Sequence, residues 1–312
     1  MQSFTASAES LSPLPGVMHA GGISLIRVSG ADAVHFLHGQ CTTLAGYCSP
    51  KGRLLALMRV WMDGDDVMLA LPASMAESFL KRIRMYVLRA KVAFTPLDPA
   101  PQTLVFVGEA GEKAAAQMGL AVPQPGEVRR EGAATLLGLP PSEAIDGFCA
   151  GGSRTLALFP AGTEFPFAPA PDAWRTAAVI AAGVPQILPE TRERFVPQAV
   201  NLELVGGVSF KKGCYPGQEV VSRVQHIGET NRRAAIGRIA AAEDVLPGAP
   251  VYSDGDEAGS VILSARIGKD ALIFYSATLS AIEEGVSLTP DGSKLSNVPL
   301  PYRIRNVLTE EA

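Results

Sequence analysis

Nine residues, Lys211-Lys212-Gly213-Cys214-Tyr215-Pro216-Gly217-Gln218-Glu219, restrict this chain's options more than any other stretch. Two cations and a glycine precede a cysteine, and a Tyr-Pro-Gly turn then opens a helical pattern from Gln218 to Gln225. Proline suits the first turn of a helix, and glycine permits close backbone approach. A thiol just ahead of a helix N-terminus and beside two ammonium groups is expected to have a lowered pKa, because both favour the thiolate. Cys214 therefore reads as a functional thiol, with Lys212 and Tyr215 as its neighbours. A buried structural cysteine in a turn is the alternative, and strongly solvated lysines make a poor wall for one.

The segment from Lys212 to Glu219 resembles the signature of the YgfZ family of folate-binding, iron–sulfur-cluster-related proteins, which are relatives of the glycine cleavage T-protein. Phe195-Val196-Pro197-Gln198-Ala199-Val200-Asn201-Leu202 resembles the family segment before that signature, and Pro299-Leu300-Pro301-Tyr302 resembles its C-terminal end. Gly39-Gln40-Cys41-Thr42 matches a Gly-Gln-x-Thr motif, although the stretch from Thr43 to Ser49 is shorter than the family pattern. The resemblance implies a T-protein-like multi-domain α+β fold. Residues 1–229 would form interleaved subdomains around a central cleft, ending with the signature helix. Residues 230–312 would form a small β-barrel.

The residues independently support much of this architecture. Ile23 to Val28 alternates as a strand and leads to a helix from Ala31 to about His38. Leu54 to Trp61 and Val67 to Leu71 flank Asp63-Gly64-Asp65-Asp66, a hairpin turn. Ser74 is expected to cap an amphipathic helix reaching Arg89, with apolar positions at Phe79, Ile83, Val87 and Leu88. Strands are expected at Val92–Thr95, Leu104–Val107, Ala133–Gly138 and Thr155–Phe159, with a short helix over Glu112–Met118. Phe165 to Pro171 reads as a proline-rich turn and Asp172 to Ala182 as a helix stopped by Gly183. Short strands joined by Gly, Asp and Pro then suggest a barrel or sandwich from about residue 230.

Composition excludes several function classes. The chain of 312 residues is 47% hydrophobic and 19% charged, which is the balance of a folded protein. A net charge of −4 and a pI near 5.7 argue against a strongly basic nucleic-acid binder. The basic face of the helix over residues 74–91 is either merely solvated or a nucleic-acid contact. The absence of an aromatic platform makes direct tRNA binding the weaker reading. No run is long enough to span a bilayer, and Met1 to Ala20 lacks a signal-peptide pattern, so a cytoplasmic protein is expected. Cys41, Cys48, Cys149 and Cys214 form no Cys-x-x-Cys pair. His35 and His38 have no third ligand in view, so no stably bound metal is expected.

What the resemblance implies about function is more specific. A tetrahydrofolate derivative would sit in the cleft, with Trp174 stacking on the pterin; a core-anchoring aromatic is the other reading of Trp174. The family's second tryptophan aligns with Ile23, so half of a stacking pair is missing. Gln218, Glu219, Arg223 and Arg232 are the remaining candidate cofactor residues. Glu219 either caps its helix or pairs with Lys212. Arg223 either pairs with Glu219 four residues earlier or, with Arg232, binds an anionic group such as a folate glutamate. The expected function is an accessory protein that supports iron–sulfur clusters in client enzymes, including those that methylthiolate tRNA, using Cys214. The alternative is a folate-dependent aminomethyltransferase, for which no motif clearly supplies the acid at the folate amine.

Overall fold

The computed structural model describes residues 13–37, 43–209, 217–226, 231–241 and 243–304. The chain opens with β1 (Pro13–His19) and at once leaves its sheet to build another. That second sheet comprises β2 (Ile23–Ser29), β3 (Thr43–Cys48), β4 (Leu54–Asp63), β5 (Asp66–Pro72) and β6 (Ala93–Pro96), in the order β3-β4-β5-β2-β6. Two helices interrupt it, α1 (Ala33–Phe36) and α2 (Ala73–Arg84). The chain then returns through β7 (Gln102–Val107), α3 (Gly108–Gln117), β8 (Val128–Glu131), β9 (Ala134–Ile145), β10 (Cys149–Phe159) and β11 (Ala168–Ala170). These strands join β1 in a first sheet ordered β11-β1-β7-β10-β9-β8.

After α4 (Asp172–Ala181) and α5 (Gln218–His226) comes a third sheet. It consists of β12 (Arg232–Ala240), β13 (Pro250–Ser253), β14 (Asp256–Ile267), β15 (Asp270–Thr278) and β16 (Ser296–Val298), with α6 (Leu279–Glu284) after β15. The order is β13-β14-β15-β12-β16. Among the described residues no continuous ladder closes this sheet into a barrel. Instead Ser287 makes single bridges to Tyr252 on β13 and to Lys294 next to β16. The expected barrel is thus an open antiparallel sheet whose edges are tied at one residue. The chain as a whole is a mixed α/β protein of three sheets.

Burial explains why the second sheet reads as apolar runs rather than alternation. In β4, Leu54 to Met58 are all buried, so both faces of the strand are covered. A main hydrophobic cluster unites all three sheets with α4, through residues such as Ile26, Leu69, Leu156, Ile180, Leu263 and Phe274. A smaller cluster lies where α3 covers the first sheet, and another lies within the third.

Several expected boundaries shift for identifiable reasons. α2 starts after Pro72, without a Ser74 cap, and stops at Arg84 rather than Arg89. Beyond it Met85, Tyr86 and Leu88 face solvent, Leu88 at 86% exposure, so no core remains to hold another turn. α1 is one turn long. The proline-rich stretch is more than a turn, because β11 pairs in parallel with β1. β9 and β10 run much longer than their apolar segments suggest, forming a hairpin around Asp146-Gly147-Phe148. Among the described residues no helix is long and apolar enough to cross a membrane.

Candidate binding cavity

Strand β4 carries Arg59 in its interior, amid Leu54-Leu55-Ala56-Leu57-Met58 and Val60-Trp61. Strand β10 brings Arg154, and the first turns of α4 bring Asp172 and Arg175. All four line one cavity of about 370 Å³ at the meeting of the three sheets. Its apolar wall includes Leu57 and Leu71 from the second sheet, Val105 and Leu156 from the first, and Leu263 from the third.

Charge inside this cavity is unbalanced. Arg175 makes two bonds to the Asp172 carboxylate, at 2.6 and 3.0 Å. Arg154 is only 3% exposed, yet among the described residues its side chain's sole partner is the Pro140 carbonyl, which accepts from Nη1 at 3.3 Å, and its Nε has none. Neither Arg154 nor Arg59 has a carboxylate within 4 Å among the described residues. Burial pushes Arg154 down to about 9, with the guanidiniums of Arg59 and Arg175 adding to the effect and Cys149 opposing it. Burial alone pushes Arg59 down to about 10. Both remain charged at neutral pH.

Next to the signature, two glycines meet. Gly217 (φ 82°) would place a Cβ 2.4 Å from the Ser49 carbonyl oxygen and 2.7 Å from the Gly52 Cα. Gly52 (φ 72°) would place one 2.9 Å from the Val220 Cβ. The turn Pro50-Lys51-Gly52-Arg53 therefore abuts the start of α5, and only residues without a side chain allow it.

The segment before the signature is fixed by a buried polar network. Asn201, in the left-handed region at φ 56°, donates from Nδ2 to the Ala234 carbonyl at 2.9 Å and accepts from the Ala234 amide at 3.2 Å. Gln198 donates to the Val221 carbonyl of α5 at 2.8 Å. Arg233 forms a buried ion pair with Glu203 and donates to the Gln198 carbonyl at 3.2 Å. The Tyr302 hydroxyl donates to the Gly183 carbonyl at 2.8 Å, and burial pushes its pKa up to about 12. The motif segments 195–202 and 299–302 thus converge on one network that joins the third sheet to α4 and α5.

The sequence-predicted residues lie in several places. Cys214, Lys212 and Tyr215 fall outside the described residues, as do Cys41 and His38. Gln218 begins α5, while Glu219 and Arg223 are exposed on it and form no ion pair with one another. Arg232 lines a second cavity of about 330 Å³ with Arg53, Arg194 and Glu257, and donates to the Ala258 carbonyl at 2.7 Å. Trp174 does not line the central cavity. Asp172, Arg175, Thr176 and Val179 face it, and at about 100° per residue Trp174 sits about 200° round from Asp172. Trp174 packs, partly buried, against the main cluster. No group of three His, Cys, Asp or Glu residues capable of holding a metal occurs among the described residues.

The arginines of the cavity were not singled out by sequence reasoning. The available signal was Arg59 flanked by apolar residues inside β4, which places it against the core but names no partner. Cys48 is buried, and desolvation pushes its thiol up to about 12, so it is poorly suited to nucleophilic work.

No protein-family model matches the chain. Curated relatives do. The tRNA-modifying protein YgfZ of Edwardsiella ictaluri (strain 93-146) is 30% identical over 303 residues, covering 89% of each chain. That of Escherichia coli (strain K12 / DH10B) is 29% identical over 314 residues, covering 90% of this chain and 91% of the relative. Among solved structures, the glycine cleavage system aminomethyltransferase T from Bartonella henselae matches with a TM-score of 0.59 at 14% identity. It covers 93% of this chain and 87% of that one. At that identity the likeness concerns the fold.

Proposed function

Because this chain belongs to the YgfZ family of tRNA-modifying proteins, we propose that it is a folate-binding accessory protein. In this reading it supports assembly or repair of iron–sulfur clusters in selected enzymes, among them those that methylthiolate tRNA, and Cys214 is its working thiol. The observation that carries the proposal is the central cavity. Its 370 Å³ falls within the range of about 300–1,000 Å³ typical of small-molecule sites. It combines an apolar wall with a few convergent polar groups, as a flat heteroaromatic ligand bearing carboxylates requires.

The cavity residues divide the work. Leu57, Leu71, Val105 and Leu156 exclude water from the ring system, while Arg59, Arg154 and Arg175 supply positive charge. Tetrahydrofolate, when bound, supplies a reduced pterin with nucleophilic nitrogens. The chain's own contribution to proton chemistry in the cavity is small. Asp172, the only carboxylate in its lining among the described residues, is held by two bonds to Arg175. Aminomethyl transfer needs an acidic group free to act at the folate amine, so this arrangement favours binding over that reaction. Cys214 stands three residues before Gly217 in the chain, and the thiolate is the form needed for sulfur, redox or cluster contact. One thiol cannot complete an iron–sulfur ligand set, so its contact with a cluster would be transient or shared with a client.

The test is genetic and chemical. The gene is deleted in its host and restored as wild type or Cys214→Ala, and methylthiolated adenosine in bulk tRNA is quantified by mass spectrometry. The modification should fall in the deletion and return only with the wild type. An unchanged level, or full rescue by Cys214→Ala, would refute the role of the thiol.

A further inference from the structure

We infer that Arg154 and Arg59 form an oxyanion seat in the central cavity, one that holds a carboxylate or phosphate group of the bound ligand. The assignment of that group to a folate glutamate rests on the function proposed above; the seat itself rests on the geometry. A buried guanidinium presents five donors in a planar fork that matches a carboxylate or phosphate in two parallel bonds. Arg154 spends one donor on a carbonyl, at the long distance of 3.3 Å, and its Nε points to no partner. A purely structural arginine at 3% exposure would be paired with a carboxylate or ringed by carbonyls, because an uncompensated buried charge is costly.

The surroundings point the same way. Arg59 reaches the cavity from a different sheet and also lacks a carboxylate, and Asp172 is already engaged by Arg175. The three guanidiniums line a common space, and burial lowers the proton affinity of Arg154, with the charges of Arg59 and Arg175 adding to it. Their arrangement is favourable only when an anion enters between them. A cationic ligand is excluded and a neutral one leaves the charge uncompensated. The glutamyl part of a folate carries two carboxylates and a free phosphate ion offers the same oxygens, so one chemistry covers both sources.

Isothermal titration calorimetry on the full-length protein separates them. The probes are 5-formyltetrahydrofolate, p-aminobenzoylglutamate, 6-hydroxymethylpterin and inorganic phosphate, titrated into wild type, Arg154→Met and Arg59→Met. The two substitutions lie on different sheets, and circular dichroism confirms that each variant is folded. The expected result is that 5-formyltetrahydrofolate and p-aminobenzoylglutamate bind the wild type and weaken about tenfold or more in each variant. The neutral pterin should bind wild type and variants alike. Equal binding of 5-formyltetrahydrofolate to all three proteins would overturn the seat while leaving folate binding intact. Binding of phosphate but no folate, lost in Arg154→Met, would sustain the seat and overturn the folate reading. Failure of every anionic probe to bind the wild type would overturn the seat.

Discussion

Replacing Arg154 by Met removes a guanidinium whose only partner among the described residues is one backbone carbonyl and fills its volume with an apolar chain. Substituting buried charges by apolar residues of similar size is often neutral or stabilising, by about 1–4 kcal/mol. The ligand-free Arg154→Met protein should therefore be at least as stable as the wild type to urea. The pH dependence has a definite sign. Burial lowers the folded-state pKa of Arg154 to about 9, below its unfolded value, so the wild type carries the full penalty at and below neutral pH. As pH rises through 9 the folded state releases the proton before the unfolded state does, and stability is regained. The advantage of Arg154→Met should shrink above about pH 9. Urea midpoints at pH 7 and pH 10 check this, and marked destabilisation of the variant at pH 7 would mean the guanidinium is structural.

At the scale of elements, the contact between the 50–53 turn and the start of α5 depends on two glycines with positive φ. Gly217→Ala adds both left-handed strain and a collision with backbone, so it should cost about 2–4 kcal/mol. The thermal midpoint should fall accordingly. An unchanged midpoint would show that the turn and the helix separate freely. The helix itself was legible in the sequence, because Pro216-Gly217 marks its start and its pattern runs to Gln225; α4 and β13 were legible for similar local reasons. Elements whose cause is distant were not. β11 exists because β1 offers it an edge, and the proline-rich sequence of 165–171 gives no local sign of that. The last turn expected of α2 is missing because nothing packs against Leu88, although its spacing fits a helix. The candidate site divides in the same way. The signature announces itself through consecutive unusual residues. The cavity is assembled from Arg59, Arg154 and Arg175, single residues separated by 95 and then 21 positions that only the fold brings together.

For the whole molecule, one hydrophobic cluster runs through all three sheets, and the third sheet is tied down by Asn201, Arg233 and Ser276. The first and third sheets each carry a smaller cluster of their own, but the shared cluster couples them to the rest, so urea denaturation should show a single transition. Trp61 lies buried in the second sheet and Trp174 on α4, which offers two probes. Fluorescence of the Trp61→Phe and Trp174→Phe variants should each track circular dichroism with the same midpoint; separated midpoints would show independent units. The interleaving of the first two sheets also bears on how the chain is made. β1 is synthesised first, but its partners β7 and β11 follow some 90 and 155 residues later, after the whole second sheet. On the ribosome all five strands of the second sheet emerge while β1 waits as an unpaired edge, the kind of strand that recruits wrong partners. Nascent chains stalled before residue 102 should thus be the most dependent on chaperones, and the passage of β7 out of the exit tunnel is the moment when this protein becomes safe from its own beginning.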